Sequence, residues 1–175
     1  RPYIPPLLLD QFGNYVVQCL LPCGPPASDF IFDAMLDRTW EIAQGRFGAR
    51  SIRACLENSR VTRQQQKRVA LAIILNAVPL ATSPNGALLL TWLLDTSDFP
   101  GRYMLLAPRF APHLHHLCTH KLASLTVLRV INQRADAEAS KLLVTTLFET
   151  GPQPVYQAIL GDQVSETRDL QVMSC

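Results

Sequence analysis

Apolar residues recur at spacings of three and four along almost the whole chain. The pattern is clearest in five segments: FIFDAMLDRTWEIA, VALAIILNAV, ALLLTWLLD, LTVLRVIN and ASKLLVTTLF. This spacing places the apolar side chains on one face of a helix. Short segments rich in proline, glycine and polar residues separate the five, and strand-like alternation is scarce. The pattern therefore predicts an all-α chain of helices about ten residues long.

One element of this pattern recurs. The segment DQFGNYVVQCL aligns with three later segments when its glycine, Gly13, is placed on Gly48, Gly86 and Ala123, and a last, poor alignment reaches Ser165. Recurrence of one helix about every 37 residues is the signature of units that stack and share a core. The sequence therefore predicts a helical solenoid with repeats centred near 10–22, 45–57, 83–95 and 120–132, and a fragment at 160–175.

The repeated segments also resemble a known family. FGNYVVQ, RFGARSIRACLE, PNGALLLTWLLD and HKLASLTVLRVI are similar to the second helices of Pumilio-type (PUF) repeats, and the set is most similar to the divergent fungal branch of that family. The resemblance implies an α-α superhelix of three-helix repeats, with about four repeats and a fragment over residues 1–175. We expect this repeat domain to be truncated at one or both ends.

The resemblance also implies which side chains contact RNA. In that family, two residues four positions apart on each second helix contact the edge of one base, and the residue after the first of them stacks on a base. The base-edge positions implied here are Asn14, Gln18, Ala49, Arg53, Ala87, Thr91 and Ser124. The stacking positions are Tyr15, Arg50, Leu88 and Leu125.

The first repeat has the side chains best suited to this role. Asn14 and Gln18 each carry an amide donor and an amide acceptor, so together they match the hydrogen-bonding edge of a base, and the resemblance implies uracil. Tyr15 supplies a flat face on which a base can stack. The alternative, favoured if the repeat pattern is ignored, is that these three residues form an ordinary solvated helix face.

The second repeat carries a stripe of arginines, Arg46, Arg50 and Arg53, on one helix face. The planar guanidinium of Arg50 can stack on a base, and the resemblance implies that Arg53 contacts cytosine. Arg46 is better placed for the RNA backbone, where it adds affinity but no sequence information. The alternative is an exposed helix face or an ion-pair row with Glu57 and Asp37.

The third and fourth repeats depart from the family pattern. Leu88 and Leu125 have no aromatic face, and Leu128, at the remaining base-edge position, cannot form a hydrogen bond. Apolar contact within the solenoid explains these leucines as well as base contact does. The sequence therefore leaves base-specific recognition by these two repeats open.

Composition narrows the class of protein. Among 175 residues, 48% are hydrophobic and 17% are charged, which favours a folded chain. The formal net charge of +2 permits a nucleic-acid partner without requiring one. The five cysteines have no disulfide-framework spacing, so we expect a reduced, cytoplasmic or nuclear setting, and of these the cytoplasm. No apolar run is long enough to predict a membrane span.

No enzymatic motif is present, and we predict neither a catalytic site nor a cofactor. The four histidines and Cys118 cluster in HLHHLCTH, where His116 and His120 have a spacing that can bind zinc. A second pair of ligands is absent from the sequence around them. Capping of the helix that follows His120 explains the cluster without a metal.

These observations lead to one functional hypothesis. We expect sequence-specific binding of single-stranded RNA, a U-containing element of an mRNA 3′ untranslated region, along the concave face, with a role in mRNA stability or translation. Protein co-repressors on the convex face are expected partners, and the oligomeric state, including a homodimer, is left open. The alternative is an armadillo- or HEAT-like solenoid that binds a peptide on the same surface.

Overall fold

A computed structural model describes residues 2–149, which form helices and turns. The α-helices of this range are α1 (Ile4–Leu9), α2 (Gly13–Leu20), α3 (Asp29–Asp37), α4 (Thr39–Ala43), α5 (Arg46–Leu56), α6 (Arg63–Leu75), α7 (Ala77–Thr82), α8 (Ala87–Thr91), α9 (Arg102–Phe110), α10 (Leu114–Thr119), α11 (Ala123–Asn132) and α12 (Ala137–Glu149). A π-helical turn, Trp92–Thr96, extends α8.

The helices fall into four consecutive groups of three. The first helices are α1, α4, α7 and α10, the second are α2, α5, α8 and α11, and the third are α3, α6, α9 and α12. The predicted all-α solenoid of three-helix repeats is therefore confirmed. The predicted fragment at 160–175 lies outside the described residues.

Helices of the same rank contact each other from one repeat to the next. Contacts join α2 to α5, α5 to α8 and α8 to α11, and corresponding contacts join the first helices and the third helices. In the first and third repeats, the first helix contacts both of its partners, so it lies between them. The second helices therefore form a continuous row on one side of the solenoid, which we call the second-helix stack.

The apolar helix faces meet in one core. A single cluster of buried side chains extends from Ile4 in α1 to Leu143 in α12. Its fully buried members include Phe32 and Phe110 on third helices and Ile52 and Leu89 on second helices. Each repeat thus completes its core against its neighbours. No helix in residues 2–149 has the length and apolar character required to cross a bilayer.

The glycines that define the repeat allow the first and second helices to approach closely. A Cβ atom added at Gly48 would lie 1.9 Å from the carbonyl oxygen of Ile42, and one at Gly86 would lie 2.9 Å from that of Leu80. In both repeats the contacted residue precedes the glycine by six positions. The glycine is therefore needed for space.

Two segments with continuous helical periodicity each contain parts of two separate helices in the structure. FIFDAMLDRTWEIA breaks at Arg38, and VALAIILNAV breaks at Asn76. Beside the first break, the Thr39 hydroxyl donates to the carbonyl of Met35 at 2.7 Å, and at the second the Asn76 amide donates to the carbonyl of Ala72 at 2.8 Å. Both breaks join a third helix to the next first helix. The apolar pattern hides them because it continues across the boundary.

We predict that Gly48→Ala destabilises the fold. Alanine favours a helix more than glycine does, but its Cβ would overlap the Ile42 carbonyl, and overpacking of this kind costs about 1–3 kcal/mol. Urea unfolding measures the change. Gly13→Ala is the matched comparison, because a Cβ there would lie 3.0 Å from the carbonyl oxygen of Leu7 rather than 1.9 Å, and it should cost less. Equal stability of the Gly48 variant and the unaltered chain would contradict the close approach.

Candidate nucleic-acid interface

The second helices of all four repeats begin with the same backbone hydrogen bond. In each repeat the first base-edge residue donates its N–H to the carbonyl four positions earlier. The donor–acceptor pairs are Asn14 to Asp10 (3.4 Å), Ala49 to Gly45 (3.2 Å), Ala87 to Ser83 (2.9 Å) and Ser124 to His120 (3.0 Å). The aligned positions therefore occupy the same place at the start of each second helix.

Side chains at the accepting positions also cap three of these helices, whereas the second repeat has Gly45 there. The Asp10 carboxylate accepts from the backbone N–H of Gly13 at 2.7 Å, the Ser83 hydroxyl accepts from Gly86 at 3.2 Å, and His120 Nδ1 accepts from Ala123 at 3.3 Å. Each cap satisfies an N–H group that the helix leaves without a partner. The capping role expected for His120 is therefore confirmed.

In the first repeat, Asn14 orients Gln18. The Asn14 side chain is only 7% exposed, and its amide nitrogen donates to the carbonyls of Asp10 and Gln11, both at 2.9 Å. Its Oδ1 accepts from Gln18 Nε2 at 3.0 Å. Gln18 keeps one N–H and its carbonyl oxygen for another partner. The chemistry available at this base edge therefore resides mainly in Gln18.

Tyr15 and Arg50 are exposed on neighbouring second helices. The Tyr15 side chain is 63% exposed, although tyrosine has a large apolar ring. Arg50 is also exposed, and its side chain makes no ion pair or hydrogen bond with any residue in 2–149. Since α2 contacts α5, the two planar groups belong to adjacent positions of the second-helix stack.

The other predicted RNA-contact residues of the second repeat have different surroundings. Arg53 forms an ion pair with Glu57 at 2.8 Å, as one alternative anticipated, whereas Asp37 lies at the end of α3 on a third helix. Arg46 is exposed, with its guanidinium carbon 5.8 Å from the centre of the Phe47 ring. Ala49 is fully buried, so it leaves space for a base but cannot contact one.

The third repeat presents little surface of its own. Leu88 is half-buried against the core, as the apolar-contact alternative anticipated, and Ala87 is half-buried beside it. The Thr91 hydroxyl accepts a hydrogen bond from Arg129 Nη1 at 3.3 Å. Arg129 belongs to α11, in the next repeat.

The fourth repeat exposes an apolar surface. Leu125 is 60% exposed and Leu128 is 52% exposed, so neither is held in the core. Ser124 is half-buried, with its hydroxyl 3.5 Å from the carbonyl of Lys121. Burial therefore does not explain why the chain has leucines at these positions.

The two histidines whose spacing can bind zinc do not share a helix in the structure. His116 lies in α10, but His120 follows the end of that helix in an extended conformation, and the two ring centres are 6.0 Å apart. In residues 2–149, no group of three or more His, Cys, Asp or Glu side chains is arranged to hold a metal ion.

Curated proteins similar to the chain include Pumilio domain-containing proteins. The Pumilio domain-containing protein C56F2.08c of Schizosaccharomyces pombe is 50% identical over 163 residues, which are 93% of this chain and 25% of that protein. Protein JSN1 of Saccharomyces cerevisiae is 48% identical over 149 residues, which are 85% of this chain and 14% of that protein. The chain belongs to the Pumilio-repeat (PUF) family. It spans a quarter or less of the length of these relatives.

Solved structures with the same Pumilio fold include RNA complexes. The crystal structure of the PUM-HD domain of S. pombe Puf1 in complex with RNA matches with a TM-score of 0.80 and 52% identity, covering 84% of this chain and 40% of that one. The Puf4 RNA-binding domain bound to a 3′ UTR recognition sequence matches with a TM-score of 0.68 at 20% identity, which shows the fold alone. No family model matches the chain.

The family pattern did not predict that Arg129 and Asp95 would contact each other on the second-helix stack. Arg129 Nη1 lies 3.0 Å from an oxygen of Asp95, which follows Thr91 by four positions. A signal for the acidic residue was present, since Glu57 follows Arg53 by the same interval. No signal within a single repeat links Arg129 to Thr91, because the contact crosses from one repeat to the next.

We predict that the cap at Asp10 stabilises the fold only while the carboxylate is charged. Backbone hydrogen bonds from Gly13 and then Phe12 lower the pKa of Asp10 below its usual 3.8. A group whose pKa is lower in the folded state contributes stability above its unfolded pKa, and this is lost as the pH falls through the folded value.

Asp10→Ala should therefore lower the free energy of unfolding at about pH 6, and the difference from the unaltered chain should shrink as the pH falls below 3.8 and through the lower pKa of the folded state. Urea unfolding across this range provides the measurement. Asp98→Ala is the control, because Asp98 caps no helix and forms only an exposed ion pair with Arg63, which contributes little to stability. A difference for Asp10→Ala that does not change with pH would contradict the charged cap.

Proposed function

We propose that the chain binds single-stranded RNA along the second-helix stack, with one base at each repeat. The observation that carries the proposal is that α2, α5, α8 and α11 contact each other in chain order with their base-edge positions in the same register. Such a row matches the one-base-per-repeat arrangement of Pumilio repeats. The Puf1 domain bound to RNA, at 52% identity, adds support.

The first repeat is proposed to bind uracil through Gln18. Uracil presents an N–H donor next to a carbonyl acceptor on its Watson–Crick edge. The free N–H and carbonyl of Gln18 complement that pair, while Asn14 holds the amide in position. This division of roles also explains why Asn14 is buried and Gln18 is not.

One base is proposed to lie between Tyr15 of the first repeat and Arg50 of the second. Both groups are planar, exposed and on adjacent second helices. Stacking on an aromatic ring is worth roughly 1–3 kcal/mol per base, and a guanidinium can stack on the opposite face. Arg46 and Arg50 also place positive charge beside the path of the backbone. In the second repeat, Arg53 is proposed to exchange Glu57 for cytosine.

The biological role proposed for this binding is post-transcriptional. The family resemblance implies an element in an mRNA 3′ untranslated region, bound antiparallel to the repeats, with effects on mRNA stability or translation in the cytoplasm. Two well-equipped repeats provide a short recognition element. A second copy of the element, or further repeats, would raise affinity through effective concentration.

The first test is binding of the full chain to a U-containing RNA oligomer. Tyr15→Ala should weaken binding about 5- to 150-fold, because a stacking platform is removed. Tyr3→Ala is the matched control, since Tyr3 is 77% exposed but precedes α1 and belongs to no second helix. Fluorescence anisotropy measures both variants, and binding should weaken as salt is raised.

Selection from a random RNA pool tests recognition by the same repeat. Gln18→Glu replaces the N–H donor with an acceptor, so the selected uracil should be lost, whereas Gln64→Glu on α6 should leave it unchanged. If the unaltered chain selects no shared motif, or if Tyr15→Ala and Tyr3→Ala bind alike, the proposal is wrong. If the chain binds a peptide and does not bind RNA, the armadillo- or HEAT-like alternative is favoured.

A further inference from the structure

Arg129 extends from the fourth repeat into the base-edge position of the third. Its Nη1 donates to the Thr91 hydroxyl at 3.3 Å and to an Asp95 carboxylate oxygen at 3.0 Å. Thr91 is the base-edge residue of α8, and Asp95 lies one turn further along the same helix. A guanidinium therefore lies where the third repeat alone offers only a small hydroxyl.

The second repeat contains a similar arrangement within a single helix. There Arg53 occupies the base-edge position and pairs at 2.8 Å with Glu57, four positions later. Asp95 follows Thr91 by the same four positions and so corresponds to Glu57. In both repeats an arginine is held beside the base-edge position by an acid one turn away. The difference is that the third repeat obtains its arginine from the next repeat.

The contact is open to a ligand. The side chains of Arg129 and Asp95 are 50% and 51% exposed, more than those of Arg53 and Glu57 at 37% and 40%. Exposed ion pairs contribute little to stability, so the Arg129 guanidinium can exchange its protein partner for RNA at small cost. The neighbouring positions, Ala87 and Leu88, do not provide a competing donor.

We infer that Arg129 is the residue that determines base preference at the third repeat. The inference rests on the proposed function, since it requires RNA on the second-helix stack. Arg129 donates to a base whose edge presents two adjacent acceptors, which are O2 and N3 in cytosine or N7 and O6 in guanine. The acceptors of uracil are separated by an N–H, and those of adenine are not adjacent. The third repeat therefore prefers cytosine or guanine.

The test uses the full chain and RNA oligomers that differ at one nucleotide. Because the strand is proposed to run antiparallel to the repeats, the core is 5′-NCU-3′, with uracil at the first repeat and N at the third. The unaltered chain should bind oligomers with C or G at N about tenfold more tightly than those with A or U. Arg129→Gln should abolish that preference. Arg109→Gln, an exposed arginine on the third helix α9, should retain it.

Asp95→Asn separates recognition from a purely structural bridge between repeats. It removes the carboxylate charge but keeps the guanidinium, so the preference at N should persist. If Arg129→Gln lowers the affinity equally for oligomers with each of the four bases at N, Arg129 contacts the RNA backbone or only joins the two repeats, and the inference is overturned. An unchanged preference at N in Arg129→Gln would also overturn it. Loss of preference in Asp95→Asn comparable to that in Arg129→Gln would also overturn it.

The controls distinguish this inference from the proposed function. If the unaltered chain binds these oligomers and Tyr15→Ala weakens that binding while Arg129→Gln changes nothing, RNA binding stands and the assignment of Arg129 fails. If the unaltered chain binds none of them, both fail.

Discussion

The close approach of the first helix to the second is the constraint on which the other features depend. At Gly48 a single added carbon would overlap the Ile42 carbonyl at 1.9 Å, and the same six-residue relation recurs at Gly86 with Leu80. Because backbone contacts backbone, the second helix cannot rotate or slide without opening the core. Its start is therefore fixed relative to the first helix in the repeats that carry the glycine. Side chains that follow the small residue then project from equivalent positions along the stack.

This arrangement separates the residues that stabilise the fold from those free to bind. Side chains such as Ile52 and Leu89 are fully buried in the shared core, whereas Tyr15 and Arg50 are exposed on the opposite side of their helices. The four repeats differ mainly in what they expose. The first two present amide, aromatic and guanidinium groups, and the fourth presents leucines. The third depends on Arg129 from its neighbour, so its chemistry is a property of two repeats together.

Much of the solenoid was predictable because its determinants are local. Apolar spacing identified the helices, and the recurring small residue identified the repeats and their register. The breaks at Arg38 and Asn76 were not predictable from apolar spacing, since the pattern continues through them. At the site, the exposure of Tyr15 agreed with a binding role. The hydrogen bonds that bury Asn14 behind Gln18 are local to the first repeat, but the residue pattern did not show that Asn14 would use its amide for them. The contact of Arg129 with Thr91 was not predictable from any single repeat, because it joins two repeats.

A structure of the full chain bound to an RNA oligomer containing CU tests the central claim most directly. The account predicts that consecutive bases lie on α2, α5 and α8 in that order, with the strand running from its 3′ to its 5′ end as the chain proceeds. Gln18 and Arg53 should contact the edges of the first two bases, and one base should lie between Tyr15 and Arg50. RNA bound along the third helices, or bases that contact second helices out of chain order, would contradict it.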